Sequence, residues 1–169
     1  MISMSFRALL STIILITYFA SNGQLANESK WSTLAAYEVN YMGVNGIMHG
    51  VYSPNNKHDI EAGLSYNFSD GFSFNPVFGV GVSYNYNFIN AEKWKSSVGA
   101  DYRRQKPLSI TNIQVLSYTT RAVYNVTSCY DAFIRLGYGV AMERSRSRGA
   151  FVQSNNITGS LSIGCVFRL

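Results

Sequence analysis

The charged side chains of this chain are placed so that little chemistry is open to them. Glu38, Glu61, Lys95, Asp101, Arg103, Arg121, Arg135 and Arg168 each fall on the small, polar side of a stretch in which apolar and polar residues alternate. Acids and bases gathered on one enclosed face must pair or be hydrogen-bonded, because an isolated buried charge is strongly disfavoured. These residues therefore read as a charge network that fills and stiffens an interior. A gated ion path is the other use of the same set. The histidines are His49 and His58. A lipid hydrolase would need one of them beside a serine and an acid or amide partner, within reach of lipid. His49 lies in the least regular stretch, His58 lies in a short turn, and nothing specifies a triad. Arg144, Arg146 and Arg148 form an Arg-Ser-Arg-Ser-Arg segment. Guanidinium groups contact phosphate bidentately, so this segment is an anion contact, or else a solvated loop.

Other chemistries are excluded by what the sequence lacks. It has no zinc-ligand spacing, no phosphate-binding glycine motif and no carboxylate pair at a known catalytic spacing, so no cofactor is expected. No basic helix or nucleic-acid motif accompanies the net charge of +5, so no nucleic-acid partner is expected either. Cys129 and Cys165 are too few for a disulfide scaffold, though a single bridge between them stays open.

The elements that must position these residues are strands. Side chains along a strand point to opposite faces in turn. In Asp59–Phe68, Ile60, Ala62, Leu64, Tyr66 and Phe68 oppose Asp59, Glu61, Gly63, Ser65 and Asn67. The same pattern recurs over Leu34–Met42, Val77–Ile89, Trp94–Arg104, Val115–Val126, Ala132–Met142 and Ile157–Leu169. Phe133 is an apolar exception on the polar side of its strand. Gly46–Ser53 is a further strand whose facing is ambiguous, since Ile47 and Val51 oppose Met48 and Tyr52. Most of these stretches run to ~9–13 residues, and a tilted strand needs about 9–11 to cross a bilayer. Twelve Tyr, fourteen Gly and only three Pro fit a β-rich chain.

The N-terminus and the connections supply the setting. Arg7, the apolar run Ala8–Ala20 and the small residues Ser21 and Gly23 read as a secretory signal peptide over 1–23, cleaved before Gln24. Residues 24–30 are a short linker and 31–169 the folded domain. Its removal takes away Arg7 alone, leaving a net charge of +4. Short turns at Asn55–His58, Asn90–Lys93 and Thr127–Asp131 alternate with longer segments at Ser69–Pro76, Gln105–Gln114 and Glu143–Asn156. The first connection, Gly43-Val44-Asn45, is short. Alternating turns and loops of this kind mark an eight-stranded antiparallel up-and-down transmembrane β-barrel with a polar lumen and an apolar, aromatic outer wall. A water-soluble ligand-binding barrel would carry the reverse polarity.

The signal ending before Gln24, the eight-strand meander and the terminal Val166-Phe167-Arg168-Leu169 resemble the small outer-membrane β-barrel proteins of Gram-negative bacteria, in a Bacteroidota-like style. The architecture is similar to that of the OmpA membrane domain and OmpX. The resemblance implies an outer-membrane location, lipid and lipopolysaccharide as surroundings, and recognition of the last strand by the barrel-assembly machinery. Phe167 and Leu169 would be that assembly signal, with the aromatic two residues before the end. It also implies a structural or interaction role through the outer loops, with a protein partner there, rather than an enzyme. A narrow pore, a lipid-modifying enzyme and a soluble ligand-binding barrel are the alternatives. Conductance, hydrolysis and solubility without detergent would mark them in turn.

Overall fold

The computed structural model describes residues 30–68, 77–147 and 150–169. The signal segment 1–23, linker residues 24–29, the connection 69–76 and Arg148 lie outside the described residues. The alternation becomes eight strands: β1 (Trp31–Asn40), β2 (Gly43–Asn55), β3 (His58–Asn67), β4 (Val77–Asn90), β5 (Trp94–Leu108), β6 (Thr111–Asn125), β7 (Tyr130–Ser147) and β8 (Ala150–Arg168). Each pairs antiparallel with the next, and β8 pairs back onto β1 to close the barrel. Where the barrel is closed, pairing on both sides satisfies the backbone groups of each strand without water, which a membrane requires. β1 starts and β8 finishes at one end, called here the terminal end. The β1–β2, β5–β6 and β7–β8 turns lie at the other, the loop end.

Parity decides what each face meets. On β4, Gly79, Gly81, Ser83, Asn85 and Asn87 turn inward, while Phe78, Val80, Val82, Tyr84 and Tyr86 turn outward. The outer wall leaves Phe78 67%, Tyr138 65% and Ile157 73% exposed. An apolar surface that runs round a whole barrel is unstable in water and well solvated by lipid. Aromatic pairs gather at both rims, with Trp31–Tyr52 and Trp94–Tyr124 at the terminal end and Tyr37–Phe68 and Tyr66–Phe78 at the loop end. Such girdles sit at bilayer interfaces.

The structure departs from the sequence reading in three places. The first turn is Tyr41–Met42, and Gly43-Val44-Asn45 belongs to β2. Gly43 has φ of 110°, a conformation that side chains disfavour, which lets the chain reverse there. The pairing of β2 with β1 also fixes its facing, with Ile47, His49 and Val51 inward and Met48 outward.

Second, Gln105–Gln114 and Glu143–Asn156 are mostly strand, not long loops. β5 reaches Leu108 before β6 begins at Thr111, and β7 reaches Ser147 before β8 begins at Ala150. Pro107 is tolerated because β5 has no β4 partner beyond Gln105 and its register with β6 shifts between Gln105 and Leu108.

Third, the lumen is not polar throughout. Leu34, Ala36, Ile47, Val51, Val123 and Phe133 cluster inside it, with Val166 packed against them. Phe133 is therefore a core residue and no longer an exception.

Candidate functional site

Inward parity on five strands (β1, β3, β5, β6 and β7) brings the charged residues together in two layers. The layer nearer the terminal end centres on Glu61 of β3, which is 0% exposed. Arg135 on β7 donates from Nη2 to both carboxylate oxygens, at 2.8 and 2.6 Å. Arg121 on β6 donates to the same carboxylate and, through Nη2, to Asp59 at 2.6 Å. Asn85 and Ser83 on β4 add hydrogen bonds of 3.0 and 3.2 Å to Glu61. Asp59 also receives Lys95 at 3.1 Å and the Ser53 hydroxyl at 2.7 Å. Arg135 further lies over the Phe133 ring, 5.6 Å from its centroid.

The second layer lies nearer the loop end. Glu38 on β1 accepts from Arg103 on β5, from Asn40 at 2.9 Å and from Ser162 on β8 at 2.8 Å. Arg103 also pairs with Asp101 at 2.6 Å. The void beside this layer measures about 10 Å³, no more than one water. His49 stands between the layers. Its Nδ1 is 3.7 Å from Glu61 Oε2, and Gly81 on β4 leaves space for its ring.

Four carboxylates (Glu38, Asp59, Glu61, Asp101) thus face four cations (Lys95, Arg103, Arg121, Arg135), each in an ion pair. Charges removed from water are tolerable only when matched and hydrogen-bonded in this way. Glu61, Arg135 and Arg121 are 0%, 2% and 4% exposed.

The network differs from the sequence reading in membership. Glu38, Glu61, Asp101, Arg103, Arg121 and Arg135 are buried in the lumen, and Lys95 joins them at the terminal mouth. Arg168 does not. It is at the rim, half-exposed, paired with Asp131 at 2.6 Å. Its strand carries it past the buried charge layers to the edge of the terminal mouth. Asp59 and His49 are the members that sequence reasoning missed. Asp59 shared the polar parity of Glu61 and was legible on that ground. His49 was hidden because β2 is apolar on both faces.

The terminal mouth is a cavity of about 260 Å³, with Asp59, Lys95, Arg121, Asp131 and Arg168 in its lining and Val51, Val123 and Val166 opposite. Both cysteines are free, Cys129 exposed in the β6–β7 turn and Cys165 half-buried on β8. His58 is at the outer rim, with Nδ1 2.6 Å from the Tyr84 hydroxyl. Phe167 packs on Tyr130 at 6.4 Å between rings, and the Leu169 amide donates to the Trp31 carbonyl at 3.4 Å.

At the loop end β5–β8 rise beyond the closed part of the barrel. The β1–β8 register stops at Asn40–Ser160, whereas β7–β8 pairing continues to Ser147–Ala150. Among the described residues, Ala150–Gly159 therefore has a paired neighbour on one side only. Arg144 and Arg146 are exposed on the outer face of β7 in this raised sheet.

No protein-family model matches the chain, and no curated protein matches its sequence. Solved structures do match in shape. A designed transmembrane β-barrel aligns with a TM-score of 0.55 and 10% identity, over 85% of this chain and 98% of that one. The outer-membrane protein AlkL, solved by solid-state NMR in DMPC bilayers, aligns with a TM-score of 0.51 and 9% identity, over 83% and 90%. Neisserial surface protein A aligns with a TM-score of 0.44 and 15% identity, over 82% and 94%. At such identities the first two likenesses are of fold alone. The class that the fold defines is the eight-stranded, outer-membrane-type transmembrane barrel.

Proposed function

We propose that this protein resides in the outer membrane of a Gram-negative cell and acts by interaction, holding out the raised β5–β8 sheet on a closed barrel. The observation that carries this reading is the free side of β8 over Ala150–Gly159. A strand edge offers a row of backbone donors and acceptors, and an extended segment of a partner can add to it as a further strand. Phe151, Val152 and Ile157 flank that row as exposed apolar contacts. The paired lumen charges supply a rigid base and argue for a plug over a pore. His49 is sealed at 1% exposure, away from any lipid, which supports a non-catalytic role. In this reading Phe167 and Leu169 serve as the assembly signal on the closing strand.

Location is tested by membrane fractionation with heat-modifiable gel mobility. Native protein in the soluble periplasmic fraction would overturn it. The closed lumen predicts no stable conductance in planar bilayers, and steady single-channel steps would restore the pore. For the edge, successive N–H groups of a strand point to opposite sides. Of Val152→Pro and Gln153→Pro, one removes an edge donor and the other breaks a bond to β7. With a panel of extended peptides as probe, the edge variant is expected to lose binding while keeping its folded gel mobility. Binding equal to the parent protein would sink the edge reading.

A further inference from the structure

The arginines of the described residues fall into two groups. Arg103, Arg121, Arg135 and Arg168 each carry an ion pair. Arg104, Arg144 and Arg146 carry none among the described residues, and all are exposed. The register brings these three to one patch of the outer wall. Arg104 on β5 pairs with Gln114 on β6, and Asn112, two residues along β6, pairs with Arg144 on β7. Arg104 Nε donates to Asn112 Oδ1 at 3.0 Å, which holds the side chain towards β7 and leaves its terminal nitrogens for another acceptor. Lys106 lies exposed beyond Arg104 on the same face of β5, and Arg146 beyond Arg144 on β7. Glu143 offers no neutralisation, because it has the opposite parity to Arg144 and pairs with the buried Ile113.

What lies beside the patch sets its ligand. The paired row one step towards the terminal end is Tyr102, Leu116, Val140 and Ile157, which is apolar and exposed. Outward residues two apart along a strand are separated by about 6.6 Å. A cationic row therefore begins within about one headgroup of the end of the apolar wall. Among the described residues the opposite wall has no such row. Its outward residues at that level, Val39, Val44, Tyr66 and Phe78, are uncharged.

We infer that this patch is a binding site for a phosphate-bearing lipid of the leaflet at the loop end. The phosphate lies between Arg104 and Arg144, and the acyl chains lie on Tyr102, Leu116, Val140 and Ile157. Guanidinium groups present paired donors to phosphate oxygens, and the apolar row supplies what a soluble phosphate would not use. The site rests on the membrane reading given above. It adds Arg104, which the sequence did not mark, and a defined ligand class.

The test uses the full-length mature protein in phosphatidylcholine nanodiscs doped with a bis-phosphorylated lipid A or with its phosphate-free counterpart. Retained lipid per barrel is read by native mass spectrometry. The phosphorylated form is expected to be enriched, and Arg104→Gln with Arg144→Gln should lower its retention by at least about tenfold, since both charge-assisted contacts to the phosphate are lost. Equal retention of the two lipids, or an unchanged double variant, overturns the site. Saturation by inorganic phosphate with no lipid enrichment overturns the lipid as ligand. A chain that never enters the discs overturns the membrane reading itself, and the two failures are told apart by that first step.

Discussion

Glu61 on β3 and Arg135 on β7 meet across the barrel, with Arg135 Nη2 2.6 Å from Glu61 Oε2. The two strands are not neighbours, so this contact braces the lumen from wall to wall. Arg121 shares the same carboxylate. Removing the shared acid leaves two guanidinium groups short of a partner inside the barrel.

Glu61→Gln keeps the shape and removes the charge. Breaking one side of a buried ion pair costs about 3–5 kcal/mol. The expected result is a loss of that size in urea unfolding from lipid vesicles. Adding Arg135→Gln should return part of it, since the second uncompensated charge is then gone. Strictly additive losses would show that the two residues do not act as a brace.

Gly43→Ala tests the first reversal. Gly43 has φ of 110°, a region that L side chains rarely adopt. The penalty is about 1–2 kcal/mol, and it should appear as a lower unfolding midpoint with the same folded gel mobility. An unchanged midpoint would mean the turn does not depend on glycine.

The barrel was legible in the sequence because lipid outside and polar packing inside enforce strict alternation on Asp59–Asn67, Val77–Asn87 and Ile157–Arg168. Alternation faded wherever that contrast is absent. On β2, Ile47 and Val51 join an internal apolar cluster while Met48 meets lipid, so both faces are apolar. Above the apolar wall the situation reverses. Asn155 and Asn156 are both exposed on the raised sheet, so strand residues there read as loop. The lumen charges were legible one at a time from parity. Their partners were not, since Glu61 and Arg135 are brought together only by closure of the barrel.

The cysteines should be independent thiols. Cys129 is exposed in a turn and Cys165 faces outward on β8 beside Ala35 and Ala132. A hydrophilic maleimide should modify Cys129 readily and Cys165 slowly when the barrel is in lipid. Gel mobility should be the same with and without reductant. A faster-migrating oxidised band abolished by Cys129→Ser would instead reveal a bridge.

Gly81 connects the two charge layers through what it leaves empty. A Cβ there would stand 3.3 Å from His49 Nε2 and 3.4 Å from Arg103 Cγ. His49 in turn reaches towards Glu61, while Arg103 holds Glu38 and Asp101. Gly81→Val therefore forces branched carbon into a slot already filled from β2 and β5. Overpacking of this kind costs about 1–3 kcal/mol. If the cost comes from the His49 ring, Gly81→Val combined with His49→Ala should be more stable than Gly81→Val alone. Charge-layer disruption through Arg103 predicts no such recovery. Urea midpoints of the two single variants and the double variant decide between them, and full additivity would mean that His49 and Gly81 do not share the slot.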